Sequence, residues 1–227
     1  MTHRLGEGTW TDHWTPTRRP LLVVPIGSCE QHGPHLPLDT DTRIASALAN
    51  SLVNNYNGDL LLCPALAITA SAEHASFPGT LSLGATVFEQ VIIELVRSAD
   101  WAAGVVLVNG HGGNRIPIDR AVSQLEYEQR RVLAWWPQIP DGDAHAGHTE
   151  TSMILAISPE LVRMDDAEEG RMEPLSELMA ELRSGGVGSV SPNGVLGDPR
   201  MATATHGRSL LTRLSIDLVA AVDEWWE

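Results

Sequence analysis

Four short apolar runs, separated by amphipathic stretches, constrain the fold of this chain more than any other feature. Each run is continuously apolar, which is typical of strands that are buried on both faces of a sheet. Strands that alternate with helices are joined by right-handed crossovers and form a mainly parallel sheet. We therefore predict an α/β fold with a mainly parallel central sheet flanked by helices. The runs are Leu21–Ile26, Leu60–Leu66, Val105–Val108 and Val132–Trp136.

Apolar residues at helical spacing predict the flanking helices. Ser184–Pro199 is rich in Gly, Ser, Pro and Asn, which indicates an ordered loop rather than a helix or strand. No repeat or interdomain linker interrupts the chain, so we expect a single domain over residues 1–227. The predicted helices are Asp41–Val53, Thr86–Ala103, Ile116–Arg130, Thr149–Ile157, Pro174–Arg183 and Ser209–Trp226.

Composition excludes several classes of partner. The chain has 15 basic and 29 acidic residues and a formal net charge of -14, so it lacks the basic surface that a nucleic-acid partner requires. No run approaches the roughly 18 apolar residues of a membrane span. The polar segment Met1–Trp14 has no apolar signal region, and two cysteines cannot form a disulfide framework. We expect a cytoplasmic protein with no membrane partner.

The polar segment that follows the first predicted strand, residues 27–41, combines histidines with carboxylates. Glu30, His32 and Asp41 offer the imidazole and carboxylate groups that suit Zn²⁺, Mn²⁺ or Fe²⁺. Asp39 fits the cap of the next helix and thereby leaves Asp41 free to point inward. The alternative interpretation is a polar surface loop.

A glycine-rich turn, Asn109–Asn114, follows the third predicted strand. It lacks the Lys and Ser/Thr of a phosphate-binding P-loop, so phosphate is not favoured. His111 between glycines fits a metal ligand. Gly112 and Gly113 would let a substrate approach the backbone, and their amides could stabilise an oxyanion.

His145 and Glu150 lie five residues apart. On one continuous helix they would point about 140° apart, so both converge on a site only if Gly147 interrupts the helix. Glu150 would then be a metal ligand in the first helical turn; alternatively it is an acid favoured at a helix N-terminus. His148, the competing histidine, is expected to face solvent.

His74 and Trp136 complete the set of candidates and could line a substrate pocket. The alternatives are a structural histidine and a core tryptophan. Cys63 fits core packing. Cys29 fits packing or, in a rival hypothesis, the nucleophile of a cysteine hydrolase.

Taken together, these segments resemble the creatininase (creatinine amidohydrolase) family. Within the family the chain is most similar to the peptidases of the mycofactocin system, notably in Ser191–Pro199 and Trp135–Pro137. The resemblance implies a parallel α/β fold, a centre of two divalent metal ions (Zn²⁺, Fe²⁺ or Mn²⁺) and a homo-oligomer such as a hexamer. The matching stretches are Gly27–Asp41, His74–Leu81, Asn109–Asn114 and His145–Ser152.

The resemblance also implies residue roles. His145 matches a histidine near the scissile bond, where it would protonate the departing amine. His35 receives no ligand role. One ion would be bound by His32, Asp41 and Glu150, and the other by Glu30, Asp41 and His111, with Asp41 bridging.

One departure concerns Gly113. Creatininase proper has a carboxylate two residues after the counterpart of His111, which argues here against creatinine as the substrate. We expect Gly113 to leave space for a larger, peptide-like substrate. The resemblance to the mycofactocin peptidases implies a ribosomally made precursor peptide as the substrate. The amide bond before its modified C-terminal Val-Tyr unit would be hydrolysed. The alternatives are a hydrolase of a small cyclic amide or formamide and a non-catalytic metal-binding protein.

Overall fold

The structure is a computed structural model that describes residues 3–13 and 17–226, so the segment Met1–Trp14 lies partly outside it. Its centre is a four-stranded parallel sheet with the order β2-β1-β3-β4. The predicted α/β fold with a parallel sheet is confirmed. The strands are β1 (Leu21–Ile26), β2 (Leu60–Leu62), β3 (Gly104–Asn109) and β4 (Val132–Trp135).

Helices cover both faces of the sheet. Across the described residues, none combines the length and apolar character needed to span a membrane. The α-helices are α1 (Trp10–His13), α2 (Thr40–Asn55), α3 (Ala85–Ser98), α4 (Arg115–Tyr127), α5 (His148–Ile157), α6 (Leu175–Gly185), α7 (Val187–Val190) and α8 (Ala204–Trp226).

Several sequence predictions differ from the structure in extent; α8, for example, begins at Ala204 rather than at Ser209. The second strand ends at Leu62, because beyond Cys63 the register with β1 shifts: Leu66 rather than Ala65 donates to the carbonyl oxygen of Pro25. Helix α3 stops at Ser98, since the chain must turn before it enters β3. The segment Ser184–Pro199, predicted as a loop without helix, contains the single turn α7.

Alternate residues of β1 belong to two separate cores. Leu21 and Val23 pack with residues of α2, α5 and α8, whereas Leu22 and Val24 pack with residues of α3 and α4. Every residue of β1 is buried, because helices cover both faces of the sheet. This two-sided burial is the reason for the continuous apolar run in the sequence.

The two central strands create the crevice in which the candidate site lies. The chain leaves β1 toward β2 at one edge and leaves β3 toward β4 at the other. Ligands of open parallel sheets bind at such a reversal, beyond the carboxyl ends of the strands. The segments that begin after Ile26 and Asn109 therefore face each other across this crevice.

Helix α8 approaches α5 closely at Gly207. A Cβ atom at this position would lie 1.8 Å from the backbone carbonyl oxygen of Ser152 on α5. Because α5 also carries Glu150, the contact positions part of the candidate site.

We expect Gly207→Ala to lower the free energy of unfolding by about 1–3 kcal/mol, because the added methyl group forces α5 and α8 apart. Ser209→Ala, at an exposed position of the same helix, is the matched control. Denaturant unfolding measures both variants, and equal stability of the two would contradict the proposed contact.

Candidate metal centre

The carboxylate of Glu30 lies fully buried beyond the end of β1. Neither of its oxygens has a hydrogen-bond partner among the described residues. Three imidazole nitrogens face Oε1: Nδ1 of His111 at 3.2 Å, Nε2 of His74 at 3.4 Å and Nδ1 of His145 at 3.9 Å. A buried carboxylate without donors is costly unless a cation compensates it. Carboxylates and imidazoles converging in this way fit a transition-metal ion.

Asp41 lies between two histidines and offers one oxygen to each. Its Oδ1 is 3.1 Å from Nε2 of His32, and its Oδ2 is 3.0 Å from Nδ1 of His111. Ser28 fixes the carboxylate by donating a hydrogen bond of 2.8 Å to Oδ2. Glu150 Oε2 lies 3.9 Å from Nε2 of His32. The arrangement suits two ions that share Asp41.

Asp41 is buried in the first turn of α2, whereas its neighbour Asp39 lies partly exposed at the start of the helix. Asp39 stands at the N-cap position of α2, as expected, but its side chain makes no capping hydrogen bond. It accepts a 2.7 Å hydrogen bond from Arg43, one turn later. Gly27 lets α2 begin against the end of β1, since a Cβ there would lie 2.3 Å from the backbone nitrogen of Thr42.

Backbone carbonyls orient the histidines on either side of Asp41. Nε2 of His111 is 2.9 Å from the carbonyl oxygen of Ala70, and Nδ1 of His32 is 3.2 Å from that of Glu30. Because a carbonyl only accepts, these network contacts assign the proton to the outer nitrogen of each ring. The other nitrogen of each ring then presents its lone pair toward Asp41, as a metal ligand must.

Because Asp41 and the neighbouring histidines are buried together, protons and metal ions compete for the same histidine nitrogens. Burial alone would lower the pKa of His32, but the charge of Asp41 raises it to about 10. Burial would likewise raise the pKa of Asp41, yet His32 and His111 hold it well below its usual value. In the absence of metal the two rings take up protons, which a bound ion must displace.

Helix α5 begins as the sequence predicts, directly after Gly147. Asp143 caps it by accepting hydrogen bonds from the backbone N–H groups of His148 and Thr149. Glu150 and His145 then converge on His32, whose ring centroid is 4.3 Å from that of His145. Glu150 also lies in the first turn of α5, as its alternative role requires, and its Oε2 accepts a 2.6 Å hydrogen bond from the Ala146 N–H just before the helix. Burial raises the pKa of Glu150 to about 7.

Gln31 is a residue of the site that the sequence interpretation did not single out. Its side-chain Nε2 lies 2.8 Å from Nδ1 of His74 and donates to the carbonyl oxygen of Gly194 at 3.0 Å. Its backbone oxygen is 2.9 Å from Nε2 of His145. Its position between Glu30 and His32 was the available signal.

The remaining histidines near this centre, His74, His35 and His148, differ in burial and in hydrogen-bond partners. His74, predicted to line the substrate pocket, is buried against Glu30 and Gln31. His35 contacts Thr151 Oγ1 at 2.9 Å, which agrees with its lack of a ligand role. His148 is only partly exposed, because its Nε2 lies 3.2 Å from the carbonyl oxygen of Met201.

A cavity of about 350 Å³ opens beside the candidate metal centre. Gly112 and Trp136 line it, whereas Gly113 and His74 are not among the lining residues. The Arg115 guanidinium carbon lies 5.1 Å from the centroid of the Trp136 ring. The wall also includes His111, Glu150, Ile44, Ile139 and Met153.

The space over Gly113 is filled. A Cβ atom on Gly113 would lie 2.0 Å from Oε1 of Glu73 and 2.4 Å from Nε2 of His111. The Glu73 carboxylate, and not open space, therefore lies over Gly113, and the room for a larger substrate there stays a prediction. The open backbone is at Gly112, where a Cβ would meet no atom within 4 Å.

Neither cysteine shows the surroundings of an activated nucleophile. Cys29 Sγ lies 3.6 Å from the carbonyl oxygen of Gly79, an acceptor that cannot deprotonate a thiol. Burial raises the pKa of Cys63 to about 12, which fits a packing role.

Comparison with known proteins shows the family of the chain. The family model for creatininase (creatinine amidohydrolase) matches residues 7–222. The chain belongs to the creatininase family. It is 46% identical to the mycofactocin precursor peptide peptidase of Mycolicibacterium smegmatis, over 97% of this chain and 91% of that protein. The corresponding peptidase of Mycobacterium ulcerans is 48% identical, over 97% and 92% of the two chains.

More distant relatives share the fold. The creatinine amidohydrolase of Pseudomonas putida is 30% identical over 71% of this chain and 74% of its own. A structure described as manganese creatininase has a TM-score of 0.81 at 23% identity and covers 99% of this chain and 98% of its own. A mutant creatininase of the Zn-Zn type has a TM-score of 0.79 at 22% identity, over 99% and 98% of the chains.

Loss of a residue that only hydrogen-bonds to a metal ligand weakens metal binding by roughly 10- to 100-fold. We expect Asp41→Asn to weaken it at least as much, because the amide carries no charge and has only one acceptor oxygen. Elemental analysis after dialysis against a metal buffer measures the ions retained per chain. Asp39→Asn, two residues away and bonded to Arg43, is the matched control and should retain its metal. Full metal content in Asp41→Asn would contradict the bridging position.

Proposed function

We propose that this chain is a metal-dependent peptidase that releases the modified C-terminal Val-Tyr-derived unit from a mycofactocin precursor peptide. The placement of Asp41, with one oxygen toward His32 and the other toward His111, is the observation that carries the metal-dependent part. The substrate is supported by the two mycofactocin precursor peptide peptidases that are 46% and 48% identical over nearly the whole chain.

Two divalent ions, Zn²⁺, Fe²⁺ or Mn²⁺, fit the donor set of this proposal. When bound, such a pair lowers the pKa of a water molecule and polarises the amide carbonyl. The protein contributes a buried cage of fixed ligands. In this assignment one ion would be held by His32, Asp41 and Glu150, and the other by Glu30, Asp41 and His111.

His145 is placed to move the proton that amide hydrolysis requires. Burial lowers its pKa well below the usual value, so the ring is neutral in the free protein. Its Nε2 is held by Gln31, 2.9 Å from the carbonyl oxygen and 3.0 Å from the side-chain Nε2. Its Nδ1 faces the site, 3.9 Å from Glu30, where it can accept a proton and pass it to the departing amine.

The cavity gives the substrate its position. Gly112 exposes backbone at the edge of the metal centre, where its amide could support the developing oxyanion. Trp136 and its apolar neighbours offer a wall for the unit that is released. His74 acts indirectly in this scheme, because it is packed against Glu30.

We expect His145→Ala to lower turnover by at least about tenfold while metal content stays intact, because an amine leaves poorly unless it is protonated. Peptide cleavage and elemental analysis are measured on the same preparation. His206→Ala, an exposed histidine of α8, is the control. Near-normal turnover in His145→Ala would remove this residue from the mechanism.

The decisive assay offers the modified precursor peptide and a formamidopyrimidine nucleotide side by side. We expect release of the C-terminal fragment, abolished by a chelator and restored by Zn²⁺, Fe²⁺ or Mn²⁺ but insensitive to a thiol alkylator. Hydrolysis of the formamide alone would instead favour the small-molecule alternative. That alternative is supported by 32% identity, over 63% of this chain, to a formylaminopyrimidine deformylase of Methanothermobacter thermautotrophicus. Metal binding without any hydrolysis would indicate a non-catalytic protein.

We further propose that residues 1–227 form one cytoplasmic domain that assembles into a homo-oligomer such as a hexamer. The free state of Cys29 and Cys63 supports the location, and the family match over residues 7–222 supports the single domain. The homo-oligomer rests on the family resemblance alone.

A further inference from the structure

Glu73 is a carboxylate at the metal centre to which neither the sequence motifs nor the proposed ligand set gives a role. It lies on the 3-10 turn Ala72–His74, and its side chain is 35% exposed. Potential ligand atoms of Glu30, Glu73 and His111 all lie within 4.8 Å of one another. The buried, unpartnered carboxylate of Glu30 in the same group points to a cation at this place.

The two nitrogens of His111 have different surroundings. Nδ1 faces the candidate ion position, 3.0 Å from Asp41 Oδ2 and 3.2 Å from Glu30 Oε1. Nε2, on the other side of the ring, is 2.9 Å from the carbonyl oxygen of Ala70 and 3.4 Å from Glu73 Oε1. Glu73 therefore lies beside the nitrogen that carries the proton rather than beside the lone pair.

We propose that Glu73 is a positioning residue that acts through His111. Together with the Ala70 carbonyl it holds the Nε2 proton, fixes the tautomer and keeps Nδ1 directed at the ion. A carboxylate behind a metal-bound imidazole also makes that imidazole a more basic ligand. This inference rests on the proposed function only in requiring that the centre binds a metal ion.

Gly113 permits this arrangement. Any side chain at position 113 would begin 2.0 Å from Oε1 of Glu73 and 2.4 Å from Nε2 of His111. The carboxylate from the neighbouring turn can approach the histidine only because glycine leaves this volume open. The position of the Glu73 side chain thus depends on the glycine at position 113.

The test compares Glu73→Ala and Glu73→Gln with Glu177→Gln, an exposed carboxylate variant on α6. Metal-free proteins are titrated with Zn²⁺ against a competing chelator. We expect Glu73→Ala to bind one ion about 10- to 100-fold more weakly, at an unchanged number of sites per chain. Glu73→Gln should lie between Glu73→Ala and the parent, because its amide oxygen still accepts the Nε2 proton.

Two controls distinguish a positioning role from a folding defect and from direct coordination by Glu73. Equal thermal unfolding midpoints of the metal-free proteins are expected, so that the loss cannot be attributed to folding. Saturation with Co²⁺ should give visible absorption of the same intensity in parent and variants, since His111 still coordinates. Changed intensity would show that Glu73 is itself a ligand and would overturn the proposal, as would parent-like Zn²⁺ affinity in Glu73→Ala. Because the titration uses no substrate, its result is independent of whether the peptide is hydrolysed.

Discussion

Two carboxylates, Glu30 and Asp41, are buried among imidazoles beyond the carboxyl ends of β1 and β3, and the surrounding structure is arranged to hold them there. Burying negative charge is unfavourable unless positive charge compensates it. Protons on His32 and His111 can supply that charge, and so can metal ions. Metal ions should therefore bind most tightly under conditions in which His32 and His111 lose their protons most readily.

The parallel sheet makes this cluster possible, because it brings distant segments to one edge. Glu30 follows β1 and His111 follows β3, and these strands are neighbours although about eighty residues separate them in the chain. Asp41 reaches the same point from the first turn of α2, and Glu150 from the first turn of α5. Packing of α8 on α5 supports the side of the centre that carries Glu150.

Gly113 illustrates how a local sequence change acquires its meaning from distant residues. From the sequence, a glycine where creatininase proper has a carboxylate suggests an empty space. In the fold, the carboxylate of Glu73 enters that space from a different turn and lies beside His111. The open path for substrate is over Gly112, next to the cavity lined by Trp136.

The sequence by itself determined the fold class and the main candidates for the site. Continuous apolar runs predicted the strands. The polar segments between strands and helices singled out Glu30, Asp41, His111 and Glu150 as candidates, because strand ends of a parallel sheet share one edge. Only the tertiary structure decided the bonding of Gln31, the burial of His74 and the position of Glu73. These depend on side chains that meet across long sequence separations, and no local periodicity records such contacts.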